Sequence, residues 1–87
     1  MLFFHRCILP YSTVDDNRLT NPMLGSGTSY GVDINSSDVL VQSNIVFDMT
    51  DGLFFIDGTG LYKDNTVIKT RTPFAGSLSG GNNNSNN

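Results

Sequence analysis

Residues 31–44, GVDINSSDVLVQSN, and residues 52–65, GLFFIDGTGLYKDN, stand 21 positions apart and align without a gap. The register sets Gly31 against Gly52, Val32 against Leu53, Ile34 against Phe55, Leu40 against Leu61, Val41 against Tyr62 and Asn44 against Asn65. It then runs on through Val46 and Val67 to Phe47 and Ile68. Inside each unit the apolar residues come in short bursts separated by Ser, Asp, Gly and Asn, a pattern too brief for helices and suited to strands.

A repeat of this length holding three short strands has the size of one coil of a parallel β-solenoid. The predicted strands are 32–35 and 53–56, then 39–42 and 60–63, then 45–47 and 66–69. Inward positions are Val32, Ile34, Val39, Val41 and Val46 in one coil, and Leu53, Phe55, Tyr62 and Val67 in the next. One coil cannot bury its inward face alone, so stacking must supply the core. The repeated asparagines gain a purpose in this frame. Asn tolerates left-handed backbone at the sharp bend between the second and third strands, and its amide can pass hydrogen bonds from coil to coil, so Asn44 and Asn65 are expected to form a structural turn ladder. A weaker upstream coil is centred on Asn17, with its six extra residues assigned to the Pro/Gly/Ser-rich stretch 21–30. Downstream, the same 21-residue step lands on Asn86. The expected fold is therefore all-β, a solenoid of two to three coils over residues 1–75. Residues 76–87, GSLSGGNNNSNN, lack apolar residues enough for a coil and are expected to be a disordered tail.

Composition supports strands and turns over helices. The 87 residues include no Glu, no Trp and one Ala, against ten Asn, nine Gly, nine Ser and eight Thr. Eight Asp outweigh five Lys and Arg, and no basic cluster forms, which argues against a nucleic-acid partner. The lone Cys7 has no internal disulfide partner, and with a single His the chain cannot assemble a zinc site. The opening stretch MLFFHRCILP is broken by His5 and Arg6 and lacks both a basic lead and a small-residue cleavage site, so a strand is expected there rather than a signal peptide. No stretch has the length of a membrane span.

From Tyr30 to Lys69, the run YGVDINSSDVLVQSNIVFDM and its successor resemble the right-handed parallel β-helix proteins, the pectin-lyase-like superfamily with its parallel β-helix repeats. The shared pattern is Gly, an apolar-x-apolar strand, a Ser/Asn turn, a second strand, Asn, and a third strand. The resemblance covers core and turn positions and so speaks for architecture. It implies an extracellular or cell-surface protein that interacts with carbohydrate, with a site on an outer face where outward side chains of successive coils form a groove. Family enzymes carry many more coils, so the chain is expected to be a fragment or a minimal form without a complete catalytic site. The alternatives are a structural solenoid of the adhesin or tailspike kind that self-associates through its open ends, and a polysaccharide lyase or glycoside hydrolase.

Outward positions on the first strand are Asp33 and Asn35 in one coil and Phe54 and Ile56 in the next. An acid and an amide beside an aromatic suit sugar hydroxyls and C–H faces, so Asp33, Asn35 and Phe54 are the candidate polysaccharide-binding residues. Asp33, Asp51 and Asp57 are the weak candidates for acid–base work on a glycosidic bond, although Asp in turns, Asp48 included, commonly bonds its own backbone. Lys63, Lys69 and Arg71 are the available bases for a lyase, and none is tied by spacing to Asp33. His5 and Cys7 share a strand face but lack a third triad member. Oxygen ligands for Ca2+ are plentiful, yet neither DMTDG nor DGTG has a calcium-loop spacing, and no metal ligand set is assigned. GSGTSYG and GTG match no phosphate-loop pattern and read as turns. Asn35 and Asn83 each begin a glycosylation sequon.

Overall fold

The computed structural model describes residues 2–20, 28–55, 58–76 and 78–86, with side chains described for all of these except 2–5, 78, 79 and 86. The described residues hold strands and turns and no helix, and so no helix long and apolar enough to cross a membrane. Twelve strands follow in order: β1 (Leu2–Cys7), β2 (Thr13–Asp15), β3 (Arg18–Thr20), β4 (Ser29–Ile34), β5 (Val39–Gln42), β6 (Ile45–Phe47), β7 (Asp51–Phe54), β8 (Gly60–Lys63), β9 (Thr66–Ile68), β10 (Thr72–Ala75), β11 (Leu78–Ser79) and β12 (Asn84–Asn86).

Each strand pairs in parallel with the strand three places on. The result is three four-stranded sheets, β1-β4-β7-β10, β2-β5-β8-β11 and β3-β6-β9-β12. The chain visits the first, second and third sheets in turn and then repeats the circuit. The register follows the sequence repeat: Val32 lies beside Leu53, Val41 beside Tyr62 and Val46 beside Val67. The second strands of the repeat occupy the expected residues, and the third differ only in ending at Ile68. The first strands begin two or three residues earlier than expected and end at Ile34 and Phe54.

The core is the set of residues that the alternation turns inward. Val32, Ile34, Val41, Val46, Leu53 and Val67 have no exposed surface, and Val39 and Phe55 have almost none. Burying side chains of this size stabilises the fold by about 1.5–3 kcal/mol each. Along one column the residue grows from Val32 through Leu53 to Phe74, which stands in register beyond Leu53. Toward this end the aromatic rings of Phe55, Tyr62 and Phe74 follow one another, with centroids 6.0 Å and then 4.9 Å apart. Cys7 belongs to the same core, its thiol 3.6 Å from the Leu9 carbonyl.

The circuits extend beyond the two or three expected. The Asn17 circuit is in place, with β2 and β3 paired to β5 and β6. At the other end, β11 and β12 arise inside the stretch expected to be a disordered tail and pair with β8 and β9. The reason is polar. The next asparagine in the ladder is Asn83, 18 residues on from Asn65, not Asn86. Its Oδ1 accepts from both the backbone N–H and the Nδ2 of Asn65 at 3.1 Å, and its own Nδ2 donates to the Tyr62 carbonyl. Backbone and amide bonding draws a chain segment poor in apolar residues into the stack.

Candidate functional site

The candidate residues sit on the outward face of the first sheet. Val32 and Ile34 point inward with no exposure, so the alternation of the strand turns Asp33 outward between them. In register, Arg6 of β1, Asp33 of β4, Phe54 of β7 and Ala75 of β10 form one column across the sheet. The parallel pairing thus sets a cation, an anion and an aromatic on consecutive strands, about 4.8 Å apart.

Asp33 is not the solvated group that an outward position suggests: it is only 4 % exposed. Arg6 Nε lies 3.4 Å from Asp33 Oδ2, and Asn35 Nδ2 donates to the same oxygen at 2.7 Å. A buried carboxylate without such partners is costly, and here a guanidinium and an amide supply them. The Arg6 side chain remains half exposed, so its charge still faces water. Beside this group the rings of Tyr30 and Phe54, both half-buried, meet with centroids 4.5 Å apart and planes tilted by 41°. The structure therefore brings Asp33, Asn35 and Phe54 together, and adds two residues that the repeat pattern did not single out. Arg6 escaped notice because it belongs to a circuit the alignment did not reach. Tyr30 lies one residue before the repeat unit, and its approach to Phe54 is diagonal rather than in register.

The remaining candidates are dispersed. Asp51 is buried on β7, in register with Tyr30 and Thr72. It stands three positions from the Asp33–Phe54 pair, about 10 Å along the strand direction. Asp57 and Ile56 lie outside the described residues, as do residues 25–27 of GSGTSYG. Lys63 is on the second sheet, in register with Gln42, while Lys69 and Arg71 are exposed on the link from β9 to β10. Among the described residues no three His, Cys, Asp or Glu side chains gather closely enough to hold a metal ion. A shallow groove lined by Asp38, Leu40, Thr59 and Leu61 marks the start of β5 and β8 on the second sheet, away from the Asp33 column. Of the two sequon asparagines, Asn35 gives its amide to Asp33 and Asn83 gives its amide to the ladder.

The asparagine ladder itself runs through four circuits, from Asn17 by way of Asn44 and Asn65 to Asn83. Asn44 and Asn65 have no exposed surface. Asn44 Oδ1 accepts from the N–H and Nδ2 of Asn17, and Asn65 Oδ1 accepts from the N–H and Nδ2 of Asn44, all at 3.0 Å. The second amide hydrogen of each returns to the preceding circuit, Asn44 to the Val14 carbonyl and Asn65 to that of Val41. The left-handed residue at this bend is the one before each asparagine, namely Asp16, Ser43, Asp64 and Asn82, with φ between 56° and 57°. The bend is thus shared between two neighbours, one supplying the backbone conformation and the other the hydrogen bonds. The two asparagines themselves keep negative φ, so their repetition reflects the amide alone.

No family model, curated protein or solved structure matches this chain.

Proposed function

We propose that the chain is a short right-handed parallel β-helix, similar in plan to the pectin-lyase-like proteins, that binds polysaccharide on the outward face of its first sheet without cleaving it. The rotation of strands through three parallel sheets supports the architecture, and parallel crossovers are right-handed in about 98 % of cases. The observation that carries the functional reading is the juxtaposition of the Tyr30–Phe54 ring pair with Arg6, Asp33 and Asn35 on one face. Aromatic surface covers the C–H face of a sugar, and a half-exposed guanidinium and an amide address its hydroxyls. Asp33 is a positioning residue in this scheme, since its carboxylate orients Arg6 and Asn35 rather than reaching a ligand. A place outside the cell, with glycans as partners, belongs to the same proposal.

Titration calorimetry against a panel of neutral and acidic polysaccharides tests it. Binding is expected for at least one member, weakened about tenfold by Phe54→Ala, which corresponds to about 1.4 kcal/mol of aromatic contact. No reducing ends or unsaturated uronates should be released. Absence of binding across the panel would overturn the reading. A purely structural role is the second reading, favoured by the near-complete burial of Asp33. It predicts that Phe54→Ala changes stability and nothing else.

A further inference from the structure

The two inner circuits, β4 to β6 and β7 to β9, have paired strands on both sides. They hold three asparagines, Asn35, Asn44 and Asn65, in two unlike settings. Asparagine is a thermolabile residue. Its side-chain carbonyl carbon is open to attack by the backbone nitrogen of the next residue, so the surroundings of that nitrogen decide which amide survives.

In the ladder both reacting groups are held. The Ile45 N–H, after Asn44, donates to the Asn17 carbonyl at 2.8 Å, and the Thr66 N–H, after Asn65, donates to the Asn44 carbonyl at 2.9 Å. Both Nδ2 groups give two hydrogen bonds and both Oδ1 atoms accept two. Neither asparagine has exposed surface, and the β-branch of Ile45 or Thr66 crowds the attacking nitrogen. Asn35 differs on every count. Asn35 and Ser36 are half-buried at the bend between β4 and β5. Among the described residues nothing accepts from the Ser36 N–H and nothing donates to Asn35 Oδ1. Ser36 also has no branch at Cβ. This bend is not an open edge: the Tyr11 N–H donates to the Ser37 carbonyl from one neighbouring circuit at 3.1 Å, and the Thr59 N–H donates to the Ser36 carbonyl from the other at 3.0 Å.

We propose that Asn35 is a site of spontaneous modification, deamidating in the folded chain through the backbone nitrogen of Ser36, while Asn44 and Asn65 are protected. Solvent base takes the Ser36 amide proton and the nitrogen bonds to Asn35 Cγ. The Cγ–Nδ2 bond then breaks, and ammonia leaves on a proton from water. Water opens the resulting succinimide at either carbonyl, which leaves aspartate or isoaspartate at position 35. Water is the only co-reactant consumed. Conversion removes the amide that donates to Asp33 Oδ2 at 2.7 Å and sets a second carboxylate beside a nearly buried one. The Asp33 group thereby loses a donor and gains a like charge. The modification follows from backbone bonding and is independent of the polysaccharide reading.

Prolonged incubation of the full chain in mildly alkaline buffer, followed by tryptic digestion and electron-transfer mass spectrometry, is the test. Asn35 should convert to a mixture of aspartate and isoaspartate, with Asn44 and Asn65 at least about tenfold slower because they react only when the circuits open. In urea, where the ladder bonds are gone, the gap should narrow. Ser36→Val places a β-branch at the attacking nitrogen and should slow the loss of Asn35, both in the folded chain and in urea. No conversion of Asn35, or conversion of Asn44 or Asn65 at an equal rate in the folded chain, would overturn the proposal. So would a gap unchanged by urea, a rate indifferent to Ser36→Val, or a product without isoaspartate.

Discussion

Asn44 shows how much a single buried amide can carry in a stacked fold. It holds four side-chain hydrogen bonds, two received from Asn17 and two given to Val14 and Asn65, and is fully buried. Replacing it by Leu strands the Asn17 N–H and the Val14 carbonyl inside the protein, each costing about 1–2 kcal/mol. Asn44→Leu and Asn65→Leu are therefore expected to lower the stability by about 2–4 kcal/mol, read from urea midpoints at unchanged slope. Thr70 is the counterexample. Its hydroxyl is buried and, alone among the described side chains, has a buried polar atom without a partner. Thr70→Val removes that unmet donor while keeping the shape, so the urea midpoint should hold steady or rise, by up to about 1 kcal/mol. A fall of similar size would mean that the hydroxyl is bonded after all. The asparagines were legible in the sequence because they recur in register; Thr70 was not, since nothing in its local sequence distinguishes a satisfied hydroxyl from an unsatisfied one.

At the level of strands and bends, the repeat glycines and the left-handed positions follow different logics. A Cβ on Gly31 would stand 2.5 Å from Val46 Cγ1 and 2.7 Å from the Gly52 carbonyl oxygen. A Cβ on Gly52 would meet Val67 Cγ1 at 2.5 Å in the same way. These glycines are kept because the first strand passes against the third strand of its own circuit, not because the backbone turns. Gly31→Ala and Gly52→Ala should each destabilise by about 1–3 kcal/mol through overpacking, measured by the same urea titration. The left-handed bends carry ordinary residues: Ser43 and Asp64 before the asparagines, Asp48 and Lys69 after the third strands. Left-handed backbone costs such residues about 1–2 kcal/mol, partly offset by the extra freedom glycine has when unfolded. Ser43→Gly and Lys69→Gly should consequently leave stability unchanged or raise it by a few tenths to about 1 kcal/mol. The sequence pattern placed the second and third strands almost to the residue, since apolar alternation fixes them. It misplaced the starts of the first strands because Tyr30 and Asp51 pair through their backbones, to which side-chain hydropathy is blind.

Across the stack, strand pairing joins each circuit to its neighbours, and every strand pair joins residues 17–27 positions apart in the chain. Such a structure couples circuits by nearest-neighbour terms. Amide hydrogen exchange reads the coupling directly. The Asn65 N–H, which donates to Asn83 Oδ1, should lose protection in Asn83→Ala, while the Asn17 N–H, two circuits away, should keep its own. Equal loss at both would mean that the four circuits open as one unit. The 21-residue period was enough to establish the parallel pairing, the inward residues and the ladder, because each repeats locally with the same offset and the same chemistry. It also singled out Asp33, Asn35 and Phe54 as neighbours, since register alone sets them side by side. Other features depended on contacts that no period encodes. Asn83 joins the ladder after 18 residues rather than 21, through bonds that follow amide geometry and not spacing. Asp33 loses its water because Arg6, in a circuit of different length, lies close beside it. Hydropathy and periodicity describe what each segment does alone, whereas these features come from groups that meet only once the circuits are stacked.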